Sequence, residues 1–398
     1  MSLMSLMSLM SSTSWMSLMS SSTLKVLALV PYGHDTAPGQ RFRAEQWARN
    51  LEGQAEFQFV PFESPRMKRI LYLPGRQAEK AVELGRSFLR RAWSLASLAR
   101  SCDVIYLFRE VAPVGPAVLE RALAMLGKPI VFDFDDAIYV PSVSEANRRF
   151  QWLKCPQKTD AICRFSTHVI VGNDYLKRYA ENHAKQVSIL PTTIDTEAYQ
   201  PKTSVAISGT PVIGWSGSLT TASHLKASGP ALQDLRLRLP FRLSVVGSQD
   251  FSLPGLEASS KSWSAETEIA DIKAFDIGVM PLPDDEWSRG KCGLKALQYM
   301  ALGVPTIASP VGVNAEIIKD GHNGFLASSR AEWVEKLALL IRDEPLRRRF
   351  AAEARRTVEG WYSAKIQAPR FLQILRQAAS TAPVESDVKS QEIFSTRG

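Results

Sequence analysis

From Met280 to Phe325 the chain reads MPLPDDEWSRGKCGLKALQYMALGVPTIASPVGVNAEIIKDGHNGF. An apolar run ending at Leu282 has the length of a buried strand. A polar loop follows, Gly293 opens the helical stretch LKALQYMAL, and VPTIASP is strand-like again. Strand, loop, helix and strand in that order are the unit of a parallel sheet covered on both faces. The alternation continues outward, with TPVIGWSG, SGPALQDLRLRL, FRLSVVGS and AETEIADIKAF before this stretch and NGFLAS at its end. Further upstream, VSILPTTIDTEAYQPKTSVAISG breaks the pattern with Pro, Thr, Ser and Gly. Ahead of that break the alternation runs once more, through LKVLALVPYG, FRAEQWARNL, DVIYLF, AVLERALAML, KPIVFDF, DAICRFS, THVIVGN and DYLKRYA.

The expected fold class is therefore α/β, with two Rossmann-like, doubly wound parallel-sheet domains facing a central cleft. The first is expected over residues 24–200 and the second over 201–362. A helix over 363–379 could cross back to the first domain, and tails lie at 1–23 and 380–398. In open sheets of this kind ligands bind beyond the carboxyl ends of the strands, so the cleft is where chemistry is sought. Residues 1–23 repeat Met-Ser-Leu at positions 1, 4, 7 and 16 and hold no Lys or Arg. The segment lacks the cationic start of a secretory signal and reads as a low-complexity tail. The polar carboxyl end reads as disordered too.

At 398 residues, 45% hydrophobic and 22% charged, the chain can build more than one core, which excludes a wholly disordered protein. No run reaches the roughly 18 apolar residues needed to span a bilayer. Cys102, Cys155, Cys163 and Cys292 stand far apart without a CxxC pair, so neither a disulfide framework nor a thiolate zinc site is indicated. A reducing, cytoplasmic compartment is the expectation. The formal charge of +8 is concentrated: residues 65–100 hold nine cations against Glu79 and Glu83. On a helical wheel Ala81, Leu84, Phe88, Ala92, Leu95 and Ala99 share one face of this stretch, predicted to cover the sheet. Glu83, Arg86, Arg90, Arg91, Ser94 and Ser97 lie opposite, and that basic face, with Trp93 at its edge, suits an anionic membrane surface. Nucleic acid is disfavoured, because no binding module accompanies the charge.

Arg289, Lys291 and Lys295 crowd the start of the helix opened by Gly293. Cations are disfavoured at a helix amino end, so three of them there imply an anionic partner such as a diphosphate. A solvated basic loop, with Lys295 snorkelling outward, is the plainer alternative. In the first half, PYGHDTAPGQRFR sets Gly33, Gly39, Arg41 and Arg43 past a strand end. VFDFDDAIY sets Asp133, Asp135 and Asp136 at another, and these carboxylates could cap local structure, serve as a base or acceptor site, or bind Mg²⁺. Glu110 is a further cleft candidate. His168, His183, His224 and His322 show no ligand spacing.

The Met280–Phe325 stretch, with VIVGNDYLKRYA, ILPTTIDTEAYQP and IGWSGSLTTASHL, resembles GT-B glycosyltransferases of family 4, the glycosyl transferases group 1, in collinear order from about Lys25 to about Tyr362. The resemblance implies a nucleotide diphosphate-sugar held mainly by the second domain and an acceptor held mainly by the first. It also implies retention of anomeric configuration, no bound metal and no other cofactor. It places Gly33 and Arg41 near the donor phosphates or acceptor, Asp135 and Asp136 near the acceptor, and Gly293, Val313 and Asn314 with the donor. The family's spaced pair of glutamates is absent: the second falls on Gln298, and Glu316 is a candidate to share its ribose contact. Counting back from Gln298 puts the first on Gly290, while counting forward from Pro281 puts it on Asp285. The family's Arg/Lys pair is missing from GWSGSLTTASHL, which offers Gly217, Ser218 and Thr220 for a donor or simply for a helix cap. Lys291 and Lys295 would then supply the charge.

The resemblance implies a retaining hexosyltransferase-like enzyme acting on a carbohydrate or lipid-linked acceptor in cell-surface polysaccharide or glycolipid synthesis, peripheral on the cytoplasmic membrane face. The alternatives are a non-catalytic nucleotide-sugar-binding paralogue or scaffold, and an epimerase or phosphorylase on the same fold.

Overall fold

A computed structural model describes residues 23–381 apart from 72, 74 and 142–153. The expectations for the two tails therefore lie outside the described residues, save for the few positions that border them. Two six-stranded, all-parallel sheets carry the chain. The first has strands β1 (Leu24–Val30), β2 (Ala55–Pro61), β3 (Val104–Phe108), β4 (Ile130–Phe134), β5 (His168–Val171) and β6 (Val187–Ile189), in the order β2-β1-β3-β4-β5-β6. The second has β7 (Val212–Ser216), β8 (Arg242–Val246), β9 (Ala258–Lys261), β10 (Ile277–Met280), β11 (Thr306–Ala308) and β12 (Phe325–Leu326), in the order β12-β11-β10-β7-β8-β9. β3, β4, β5 and β10 are buried along their whole length, as continuous apolar runs covered on both faces must be.

Each sheet has a core on either side. One face of the first sheet is covered by the helix Ala364–Ser380, which comes from the far end of the chain. Its Phe371 stacks on Trp47 at 4.9 Å and meets Tyr106 edge-on at 5.3 Å. These rings together bury a large apolar area, the dominant favourable term in such packing.

The helix Gln77–Leu98 corrects the wheel reading. Leu95 and Ala99 are buried, but so are Glu83, Ser87, Arg91 and Ser94, while Ala81 and Ala92 are exposed. The helix is turned towards its polar side because that side finds partners. Arg91 donates to the carbonyls of Val30 and Val60, both at 2.8 Å, and Glu83 accepts from Ser64 at 3.0 Å. Buried polar groups are tolerated where they are bonded in this way, although burial, with Arg90 alongside, still pushes the Arg91 guanidinium down to about 9.

Candidate active site

The carboxyl ends of the two sheets face each other, and loops from both sides touch. Asn173, which caps the helix Asp174–Glu181, donates across the divide to the carbonyls of Gly290 (3.1 Å) and Lys291 (3.0 Å). A Cβ on Gly290 would lie 2.7 Å from Cβ of Ala137, so no side chain fits there without displacement. Arg41 donates to Glu268 at 2.8 Å, and Glu268 also accepts from Trp263 (2.7 Å) and from the Tyr199 hydroxyl.

The three aspartates of VFDFDD separate by role. Asp133 is fully buried and held by Arg43 and by the Tyr106 hydroxyl. It is therefore part of the packing. Asp135 accepts from Arg109 Nε (2.9 Å) and Nη2 (2.8 Å), and Asp136 accepts from Arg109 Nη2 (2.7 Å). The guanidinium takes the place between these carboxylates that a Mg²⁺ ion would need, which weighs against the metal reading. Gly39 lies against the same cluster, since a Cβ there would be 3.2 Å from Asp135 Oδ2.

Asp136 reaches the second half through Lys291, whose Nζ is 3.6 Å from its Oδ1 and lies over the Trp287 ring. Four residues on, in the first turn of the helix Leu294–Ala301, Lys295 places its Nζ 4.8 Å from the ring centre of Trp215. Gly293 supplies the left-handed backbone, φ 71°, that starts this helix. Gly217 rides over Lys295, and a Cβ at that position would meet Cε at 2.8 Å. Among the described residues no carboxylate comes within ion-pair reach of Lys295. Burial first, and then the neighbouring Lys291, push its ammonium down to about 7. Lys295, Lys291 with its Asp136 partner and a glycine turn thus meet at a helix start, an arrangement suited to a diphosphate.

Other expected residues fall elsewhere. Ser218 and Thr220 hydrogen-bond each other at 2.9 Å, and Ser218 forms a capping box with Thr221, so both hydroxyls already serve the local turn. Arg289 pairs with Asp284 at 2.6 Å and lines a cavity of about 130 Å³ together with Asn173, Asp174, Val313 and Glu316. Burial at that wall, followed by Asp174, pushes the Glu316 carboxyl up. Asp285 caps Ser288 N at 2.7 Å. Asn314 is buried and donates to the Ser309 carbonyl. Gln298 is 2% exposed beside Tyr199, with Nε2 unbonded, which leaves almost no surface for a ribose. The Gly33 carbonyl accepts from the Thr36 hydroxyl at 2.8 Å. Glu110 pairs with Lys158 at 3.3 Å.

Sequence reading missed Arg109, Trp215 and His224. Only the fold brings them to the lysines and aspartates, and their local sequence carries no signal. It also missed a grouping of His34, Asp35 and Glu45, whose ligand atoms lie within 4.8 Å of one another. Arg41, which also pairs with Glu268, stands with its Nε 3.1 Å from Asp35 there. His224 Nδ1 is buried without a partner, and burial, then Lys291 and Lys295, push the imidazole down to about 4. His224 is thus neutral throughout the neutral range. Its ring proton resonances in NMR should stay flat from pH 8 to about pH 5. A midpoint near the ordinary value of about 6.5 would show that the lysine charge does not reach it.

Residues 272–357 match the family model of glycosyl transferases group 1. A D-inositol 3-phosphate glycosyltransferase from Stackebrandtia nassauensis is 28% identical over 203 residues, 42% of this chain and 44% of that protein. The match therefore spans less than half of the relative. Among solved structures, Anabaena HepE in complex with UDP and glucose superposes with a TM-score of 0.63 at 16% identity, over 89% of this chain and 100% of that one. Sucrose-phosphate synthase from Thermosynechococcus elongatus gives 0.62 at 16%, over 89% and 98%. The chain is thus similar to glycosyl transferases group 1 over residues 272–357 and shares the GT-B fold of these solved structures.

Proposed function

We propose that this protein is a glycosyltransferase that moves a hexose or related sugar from a nucleotide diphosphate-sugar to a carbohydrate or lipid-linked acceptor, with retention of anomeric configuration. The reading extends to polysaccharide or glycolipid synthesis at the cytoplasmic face of a membrane. The observation that carries it is Lys295, which among the described residues has no carboxylate within ion-pair reach and is set at a helix start beside Lys291 and under the Gly217 turn. Departure of a nucleoside diphosphate builds negative charge, and donors fixed in advance at that place lower the barrier. Asp136, facing both Arg109 and Lys291, ties the acceptor side of the cleft to the donor side.

Gly290 supports a second reading, a nucleotide-sugar-binding protein without turnover. If the family's first glutamate falls on Gly290, as counting back from Gln298 puts it rather than on Asp285, Ala137 leaves no room for a side chain there. One experiment separates the two. Thermal stabilisation across a panel of nucleotide sugars finds the donor, and nucleotide release is then followed with candidate acceptors. Stabilisation with acceptor-dependent release supports the transferase. Stabilisation without release across a broad acceptor panel selects the binding protein, and no stabilisation by any nucleotide sugar rejects both.

A further inference from the structure

The helix Gln77–Leu98 turns a line of large apolar side chains to solvent: Val82 is 53% exposed, Leu89 74% and Trp93 69%. Their spacing of seven and then four residues keeps them within an arc of about 40° on a helix that turns about 100° per residue. Exposed Gly85 and Ala96 flank the line on one side. Arg86 and Arg90 flank it on the other, both exposed, although Arg86 also pairs with Glu83 at 2.7 Å and Arg90 also donates to the Phe62 carbonyl at 2.5 Å, which leaves each guanidinium further donors for an anion. The acidic residues of this stretch are already engaged, Glu83 with Ser64 and Arg86, and Glu79 near Arg66 and Arg76. Lys68 and Arg69 on the preceding helix, Pro65–Ile70, add further exposed positive charge.

The position of this line matters as much as its chemistry. Arg91 is anchored on the last carbonyls of β1 and near the end of β2, so it marks the carboxyl edge of the first sheet. The residues before it, 77–90, make up about 21 Å of helix at 1.5 Å per residue, and within them Glu83 meets Ser64 and Phe88 meets Phe62, both just past the end of β2. An apolar ridge with a tryptophan and with arginines along one flank is the composition of a helix that lies in the plane of a lipid–water interface. Guanidinium groups there reach phosphates while the ridge enters the acyl boundary.

We propose that the Val82–Leu89–Trp93 ridge seats in the headgroup region of an anionic bilayer, with Arg86 and Arg90 on lipid phosphates, holding the cleft mouth at the membrane. The proposal deepens the membrane-face reading given above and rests on it for its biological setting, but binding to lipid requires no turnover. The test uses the full chain and sedimentation with phosphatidylcholine vesicles, with or without phosphatidylglycerol. The wild type is expected to pellet only with the anionic vesicles, and less as salt rises. Arg86→Glu with Arg90→Glu should weaken partition roughly tenfold or more, and so should Leu89→Ser with Trp93→Ser.

Brominated acyl chains should quench tryptophan emission in the bound wild type, and Trp93→Phe should remove most of that quenching. Failure of the wild type to pellet overturns the proposal, as does pelleting that neither pair of changes weakens. A concentration-dependent dimer in lipid-free sedimentation velocity, dissolved by Leu89→Ser with Trp93→Ser, would assign the ridge to a second copy and overturn it too. Thermal stabilisation by nucleotide sugars, measured on the same variants, reports the donor half independently. Loss of that signal in the wild type defeats the transferase reading and leaves the lipid result standing.

Discussion

Asp133→Ala lowers the stability of the protein by about 3–5 kcal/mol, the cost of leaving one member of a buried ion pair without its partner. Arg43 and Asp133 have no exposed surface, and Arg43 otherwise donates from its side chain to the Leu190 carbonyl. Removing the carboxylate strands a guanidinium in the core and takes away one of the two acceptors of the Tyr106 hydroxyl, leaving it the Arg43 carbonyl at 2.8 Å. A shift of the urea midpoint at unchanged slope would report the loss. The double replacement Arg43→Met with Asp133→Leu removes both charges and should be less destabilised than Asp133→Ala alone. An Asp133→Ala variant within about 1 kcal/mol of wild type would show that the pair is not the anchor described here.

Lys295→Ala weakens donor binding or turnover roughly ten- to a hundredfold, corresponding to about 1.5–3 kcal/mol for a hydrogen bond to a charged group. The pH dependence gives a second, independent sign. Because the ammonium is held at about 7 in the free protein, affinity for a diphosphate should fall as pH rises through that value. The arriving anion favours the charged form, so binding above pH 7 should take up a proton, visible as a dependence of calorimetric enthalpy on the buffer. That uptake should vanish in Lys295→Ala. For folding the sign is opposite: between about 7 and the unfolded value near 10.5 the unfolded chain holds the extra proton, so this lysine adds stability as pH rises. Unchanged donor affinity in a folded Lys295→Ala variant would remove the residue from the site.

Much of the architecture was legible because parallel strands covered on both faces are continuous apolar runs. LKVLALV, DVIYLF, KPIVFDF and DIGVMPL each stand over an observed strand. The strands that escaped lie at sheet edges or near them. AEFQFVP interleaves Glu56 and Gln58 with its apolar residues, and ASSK has almost nothing apolar to bury. The rotation of the Gln77–Leu98 helix was illegible for a different reason. Its cause is a pair of backbone carbonyls, Val30 and Val60, that no wheel drawn on the helix itself includes. The same limit applies to the site. The spacing of Lys291 and Lys295 on one helix start is a local pattern, and local patterns can be read. The approach of Asp136 to Lys291, the clamp of Arg109 and the ring of Trp215 under Lys295 depend on contacts across far larger separations in sequence.

The helix Ala364–Ser380 lies on a face built from Trp47, Phe57 and Tyr106, residues made more than 250 positions earlier. During translation those rings must wait, unshielded, while the entire second sheet emerges. The first half can reach its native form only after nearly everything else has been synthesised, which reverses the usual order in which leading segments mature ahead of trailing ones. A nascent chain stalled shortly after residue 362 would display this sticky face and become a substrate for holding chaperones.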